Sequence, residues 1–173
     1  SFETLMTVPS MFAAAQLVGD AVRKVYTASA PTFNQQHVMF DASIILAGQI
    51  AGRRMRMFHI YAAGNFIEAT TDTPFFQIGE TKYGKPILDR VAKHDTLLDD
   101  GVKLALISMD STLRSNFSVG LPADLLVYRK DTQRVAVQQR IDEDDAYFRT
   151  LRESWSEALR ASYRNLPAPP WRS

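Results

Sequence analysis

The chain has 173 residues, enough to bury a core as a single domain, and its 46% apolar and 23% charged residues are ordinary for a folded globular protein. A net charge of +1 gives no field that would draw it to nucleic acid or an anionic membrane, and the absence of cysteine excludes disulfides, thiol catalysis and cysteine metal sites. His37, His59 and His94 show no ligand spacing, no apolar run approaches the roughly 20 residues of a membrane helix, and no signal peptide is present, so the expectation is a cytoplasmic protein without metal or cofactor.

Ser1-Phe2-Glu3-Thr4-Leu5 lacks an initiator methionine and runs almost at once into a helix, so the sequence reads as a piece of something longer. Pro9-Ser10 opens that helix, since proline suits a first turn. Its apolar stripe is Met11 (or Phe12), Ala15, Val18, Val22 and Val25, with Asp20, Arg23 and Lys24 off the stripe. Gly19 costs the helix about 1 kcal/mol against alanine, which points to close packing there. Ala30 precedes a proline, so the helix is expected to end between Thr27 and Pro31, followed by a polar loop, Asn34-Gln35-Gln36-His37.

Residues 40–84 carry three apolar strands punctuated by glycine. The first, over 40–49, and the second, over 55–62, have apolar residues at successive positions and are expected to be covered on both faces. They join at Ala51-Gly52, where Arg53, Arg54 and Arg56 are expected to snorkel into solvent. Gly64-Asn65 leads into a third strand over 66–70, which Pro74 ends. A short helix over 84–92 has Pro86 in its first turn. Thr96-Leu97-Leu98-Asp99 then reads as the aspartate variant of a capping box, opening a helix with Leu98, Val102, Ala105, Met109 and Leu113 as its buried stripe. The polar stretch 114–120 ends it.

Residues 124–129 and 134–141 pair as a hairpin across Asp131-Thr132, the second alternating like an edge strand. The run Asp142-Glu143-Asp144-Asp145 admits a divalent-metal site. The preferred reading is carboxylates in a first helical turn, each contributing about 0.3–1 kcal/mol against the helix dipole. Phe148, Leu151, Trp155, Ala158 (or Leu159) and Ser162 mark the last helix. The Pro-rich tail over 165–173 is not helical, and hangs free or docks on a neighbour through Trp171. Helix, three strands, two helices, two strands and helix make a layered α+β sandwich, without internal repeat or linker.

FDASIILAGQI, RMFHIYAAGNFIEAT and FFQIGETKYGKPILDR resemble the second half of a proteasome-type β subunit, where an F-N-x-S-hydrophobic-G strand leads to a hairpin and an I-G-S-G turn opens a helix. GETKYGKPILDR, ALISMDSTLRSN, SVGLPADLLVY and RIDEDDAYF are closer still to Anbu, a bacterial proteasome-like peptidase family, and the likeness runs from Val8 to Trp171. It implies the αββα four-layer sandwich of N-terminal-nucleophile hydrolases, with the N-terminal strands absent from this sequence. The chain then corresponds to the C-terminal two-thirds or so of a subunit. The implied chemistry is that of a threonine protease: an N-terminal threonine attacks the peptide carbonyl, its own α-amine helps move the proton, and an aspartate and a lysine tune the pair. All three would belong to a preceding segment of about 70 residues, an estimate in keeping with ordinary domain sizes. Ser1 has the chemistry of a nucleophile in principle, but it leads into a helix rather than a buried strand, so no catalytic residue is expected among residues 1–173.

The resemblance does supply supporting positions. The I-G-S-G turn is matched by Ile78-Gly79-Glu80-Thr81, which puts Glu80 at the family serine with Thr81 beside it. An R-D-x-x-S-G turn is matched by Arg114 to Val119, with Ser115 at the family aspartate and Ser118 at its serine. Glu80, Thr81, Ser115 and Ser118 are therefore the expected active-site support. Each has a plainer reading: the first two cap a helix beginning near Lys82, and the serines end the preceding helix. Asp110 is expected to face solvent or an arginine. Lys82 and Lys85 read as surface charges, since a lysine base needs burial.

The implied protein hydrolyses peptide or protein substrates as a homo-oligomeric ring or related assembly. The alternatives are a catalytically silent structural or binding subunit, and an amidase of the same fold acting on a small non-peptide amide. Neither nucleic acid nor membrane is an expected partner.

Overall fold

The computed structural model describes residues 3–36 and 40–171, with residues 31–36 described by their backbone. Ser1 and His37 lie outside the described residues. The chain forms two compact units, residues 1–79 with 93–95 and 127–136, and residues 80–92 with 96–126 and 137–173. Helices and strands follow one another in the expected α+β order.

The first unit sets one long helix, α1 (Met11–Gln36), on an antiparallel sheet of β1 (Ser43–Gly48), β2 (Arg56–Tyr61) and β3 (Phe66–Glu68), in the order β1-β2-β3. Leu46 lies opposite Phe58, and Ile60 lies opposite Ile44 on one side and Phe66 on the other. Strand alternation therefore gathers Leu46, Phe58, Ile60 and Phe66 on one face. There they pack with Ala15, Met11 and Val18 of α1. Phe66 also meets Phe58 and Phe12 edge-on, with ring centres 5.6 and 5.3 Å apart. Burial on both faces is not what the strands show. Ala47 and Ile67, on the other face, are exposed, because α1 covers a single face of the sheet.

The helix itself corrects two expectations. It runs through Pro31 to Gln36 where an end was expected. An interior proline removes one hydrogen bond, yet Ala28, Ala30, Gln35 and Gln36 all favour helix around it. Val25 is exposed rather than buried. A 26-residue helix is about 39 Å long and overruns six-residue strands of about 20 Å. Gly19, by contrast, packs as closely as its cost implied. A Cβ added to it would stand 2.2 Å from the carbonyl oxygen of Gly64, in the turn between β2 and β3.

In the second unit, α2 (Lys85–Val91) and α3 (Leu98–Ser115) pack together, and α3 packs on α4 (Ala146–Asn165). The strands β4 (Ala123–Tyr128) and β5 (Val135–Ile141) form a two-stranded sheet. Leu106, Ile141 and Phe148 form the core, with Val102, Leu113, Leu121, Leu125 and Leu151 against it. Leu98 and Ala105 are exposed, contrary to the expected stripe. The buried arc of α3 is instead wide enough to take in Ser108, Asp110 and Thr112, polar residues that hydrophobic periodicity does not count.

The cap position of α3 is Leu97 rather than Thr96, with no side-chain cap bond from it, so the helix starts at Leu98, one residue later than the expected box implies. The acidic run also lies ahead of its helix rather than in the first turn. Asp145 is the cap of α4 and accepts the Phe148 N–H at 2.7 Å. Among the described residues no group of acidic or histidine side chains is placed to hold a metal. None of the described helices is long and apolar enough to cross a membrane.

Candidate functional site

Two of the expected site residues, Glu80 and Ser118, come together where the turn before α2 faces the end of α3, within the second unit. Gly79 adopts φ 78°, a conformation that favours glycine, and Glu80 follows it. The Glu80 side chain is about one-fifth exposed. One carboxylate oxygen accepts the Asn116 side-chain N–H at 2.9 Å, and the other accepts the Lys82 backbone N–H at 3.3 Å. The Lys82 ammonium stands 3.9 Å away, mostly in solvent, as its polar context implied.

Asn116 is the junction of the cluster. It caps the C-terminal end of α3, donating its backbone N–H to the Thr112 carbonyl. Its side-chain oxygen accepts both the Ser118 backbone N–H at 2.9 Å and the Ser118 hydroxyl at 2.7 Å. This is an Asx turn, in which asparagine bonds the backbone two residues on. Glu80 and Ser118 are therefore joined through Asn116 rather than directly.

The other two expected residues play different parts. Thr81 uses its backbone carbonyl to accept the Lys85 N–H at 3.0 Å, at the entrance to α2. The helix begins at Lys85, later than the expected start near Lys82, with Gly84 at the cap. Ser115 is the last residue of α3 and is exposed. Asn116 was missed, although Asn-x-Ser at the end of a helical stripe is itself a turn signal. Phe117, between the two bonded residues, is fully exposed.

The cluster offers a held carboxylate that can accept further donors, and a hydroxyl that donates to an amide. It does not pair a hydroxyl with a base, as an activated nucleophile requires. Its chemistry is that of an acceptor and positioning group. Such a pairing does occur in the first unit, where the Ser43 hydroxyl bonds His59 Nε2. His59 there stacks near Tyr61 and Phe76, with ring centres at 4.3 and 5.5 Å, and among the described residues no carboxylate orients it.

Below α3, Asp110 faces arginines rather than solvent, resolving the two expectations for it. It is buried, accepting from Arg152 at 2.6 Å and Arg114 at 3.0 Å.

No family profile and no curated protein matches the chain. Solved structures do. Anbu from Hyphomicrobium sp. strain MC1 matches with a TM-score of 0.89 at 51% identity, covering 99% of this chain and 69% of that one. Anbu (ancestral beta-subunit) from Yersinia bercovieri gives 0.91 at 48% identity, covering 100% of this chain and 71% of the other. The helical assembly of the Anbu complex from Pseudomonas aeruginosa gives 0.90 at 44% identity, over 98% of this chain and 70% of that one.

Proposed function

This chain belongs to the Anbu family, and from that membership we propose that it is a cytoplasmic, proteasome-type threonine peptidase subunit working in a homo-oligomeric assembly. The observation that carries the reading is 44–51% identity to Anbu structures across nearly the whole chain. In this proposal the nucleophile is an N-terminal threonine outside residues 1–173, and hydrolysis passes through an acyl-enzyme. Glu80 stands where the family carries a serine near the threonine's amine. Held by Asn116, its carboxylate is suited to accept an N–H from that amine and to supply the negative charge that Ser115 no longer provides. Ser118 and Thr81 shape the surrounding turns.

The test is peptide turnover by the full-length assembled protein across pH, beside variants with the N-terminal threonine replaced by alanine and with Glu80→Gln. Turnover that disappears without the threonine, and a pH profile displaced in E80Q, are the expected results. An E80Q profile identical to the parent at every pH would remove Glu80 from the mechanism. Assembly into a multimer is read independently by light scattering, and a monodisperse monomer would contradict it.

A second reading, a catalytically silent subunit of the same assembly, is favoured by two features. Glu80 is already bonded to Asn116, and a serine, Ser115, occupies the position of the family aspartate. An intact multimer without peptide turnover would support it. Turnover confined to small amides would instead identify an amidase.

A further inference from the structure

The turn between β1 and β2 and the first turn of α1 flank a half-open pocket of about 310 Å³, lined by Ser10, Met11, Arg53, Arg54 and Arg56. Three arginines line it, and one carboxylate outside the lining, Glu68, pairs with two of them. Glu68 accepts two bonds from Arg56, at 2.7 and 2.6 Å, and one from Arg54 at 3.3 Å. Arg53 has no carboxylate partner among the described residues. The three arginines together with Glu68 thus carry two positive charges in excess.

The start of α1 adds to them. Ser10 satisfies the Ala13 N–H through its hydroxyl and the Ala14 N–H through its carbonyl, both at 3.0 Å. The N–H groups of Met11 and Phe12 have no acceptor among the described residues. Unpaired N–H groups and the positive end of the helix dipole both favour an anion.

We propose that this pocket binds a small oxyanion of the phosphate class, either inorganic phosphate or the phosphate group of a small monoester. An excess of two charges matches a dianion, and the planar fork of arginine fits phosphate oxygens pairwise. The volume exceeds that of a bare phosphate and sits at the lower end of small-ligand pockets, about 300–1,000 Å³. Met11 supplies an apolar surface for the organic part of an ester. Glu68 serves the site by fixing Arg56 against the Phe58 ring, 4.9 Å from its centre, so that one guanidinium is already in place.

The test is calorimetric titration of the full-length protein with inorganic phosphate, with glycerol phosphate and with acetate, at constant ionic strength. Saturable binding of one phosphate per chain is expected, about tenfold tighter than acetate, and weakened about tenfold by the double variant Arg53→Ala, Arg54→Ala. Glycerol phosphate binding more tightly than phosphate assigns the site to an ester, and equal affinities assign it to the free ion. Arg53→Ala alone breaks no ion pair, so it reports on binding even where the double variant unfolds, and it should weaken binding about threefold. No saturable binding, equal affinity for acetate, or unchanged affinity in R53A would overturn the proposal.

Discussion

Gly19 and Gly64 approach each other so closely that neither tolerates a single added carbon. A Cβ on Gly64 would lie 2.5 Å from the Gly19 carbonyl oxygen, and Gly64 also holds φ 78°. Gly19→Ala and Gly64→Ala should each destabilise the protein by about 3 kcal/mol or more in denaturant unfolding, as overpacking forces backbone apart. The double variant should cost less than their sum, because both insert into the same gap.

Glu68 gives a second prediction at this scale. The hydrogen bond from Arg56 holds its carboxyl below the ordinary value of 4.5, against the opposing effect of burial. A lowered folded-state pKa means stability that is present above about pH 4.5 and lost as pH falls through the lower value. The same bond raises the Arg56 pKa, so its contribution persists below its ordinary titration range and fades only in strong alkali. Glu68→Gln should therefore cost about 1 kcal/mol at neutral pH. That difference should shrink toward zero in acid, which urea unfolding at several pH values would measure.

Asp110 is the residue on which the expectation left two options and the fold selected one. With two arginines on a buried carboxylate, Asp110→Asn should destabilise the protein by about 2–3 kcal/mol. Arg152→Ala should cost less, since Arg114 remains. Residue-level legibility was uneven for a physical reason. Glu80 and Ser118 were singled out through local sequence patterns that resemble family turns. Asn116, which joins them, depends on an approach across 36 residues of chain that no local pattern reveals.

At the scale of elements, sequence pattern recovered the helices and strands of the described residues in order, because most of them set at least part of one face against a core. What it misjudged were boundaries decided elsewhere. The end of α1 depended on whether neighbouring residues outweighed Pro31, and the start of α3 moved one residue past the capping threonine. The α3 stripe was misplaced because its buried arc includes a charged residue, Asp110, with one partner, Arg152, on another helix. Phe148, by contrast, was legible as the anchor of α4. It is 2% exposed and joins Leu106 of α3 to Ile141 of β5. Phe148→Ala should cost about 3–5 kcal/mol in thermal or denaturant unfolding, as large core truncations do. Leu159→Ala on the same helix, half-exposed, should cost less than about 1 kcal/mol.

For the whole molecule, α+β class followed from element order, whereas the covering of each sheet face did not. The apolar runs of β1 and β2 implied cover on both faces, and the chain supplies α1 on one. Whatever lies on the other is a matter of tertiary and quaternary contacts, which strand composition signals without identifying. The candidate site was partly legible because turns repeat across a family, whereas the nucleophile of the proposed function is placed outside residues 1–173 by that proposal alone.

The two tryptophans of the chain make its tail visible to light. Trp171 is four-fifths exposed, while Trp155 is partly covered in α4 and its indole N–H is buried without an acceptor among the described residues. The emission of the isolated chain should therefore be a sum of a water-like, red component that acrylamide quenches readily and a bluer one that it reaches slowly. Docking of the tail on a neighbouring subunit would convert the first component into the second. A fluorescence titration with protein concentration then becomes a direct optical count of tails engaged.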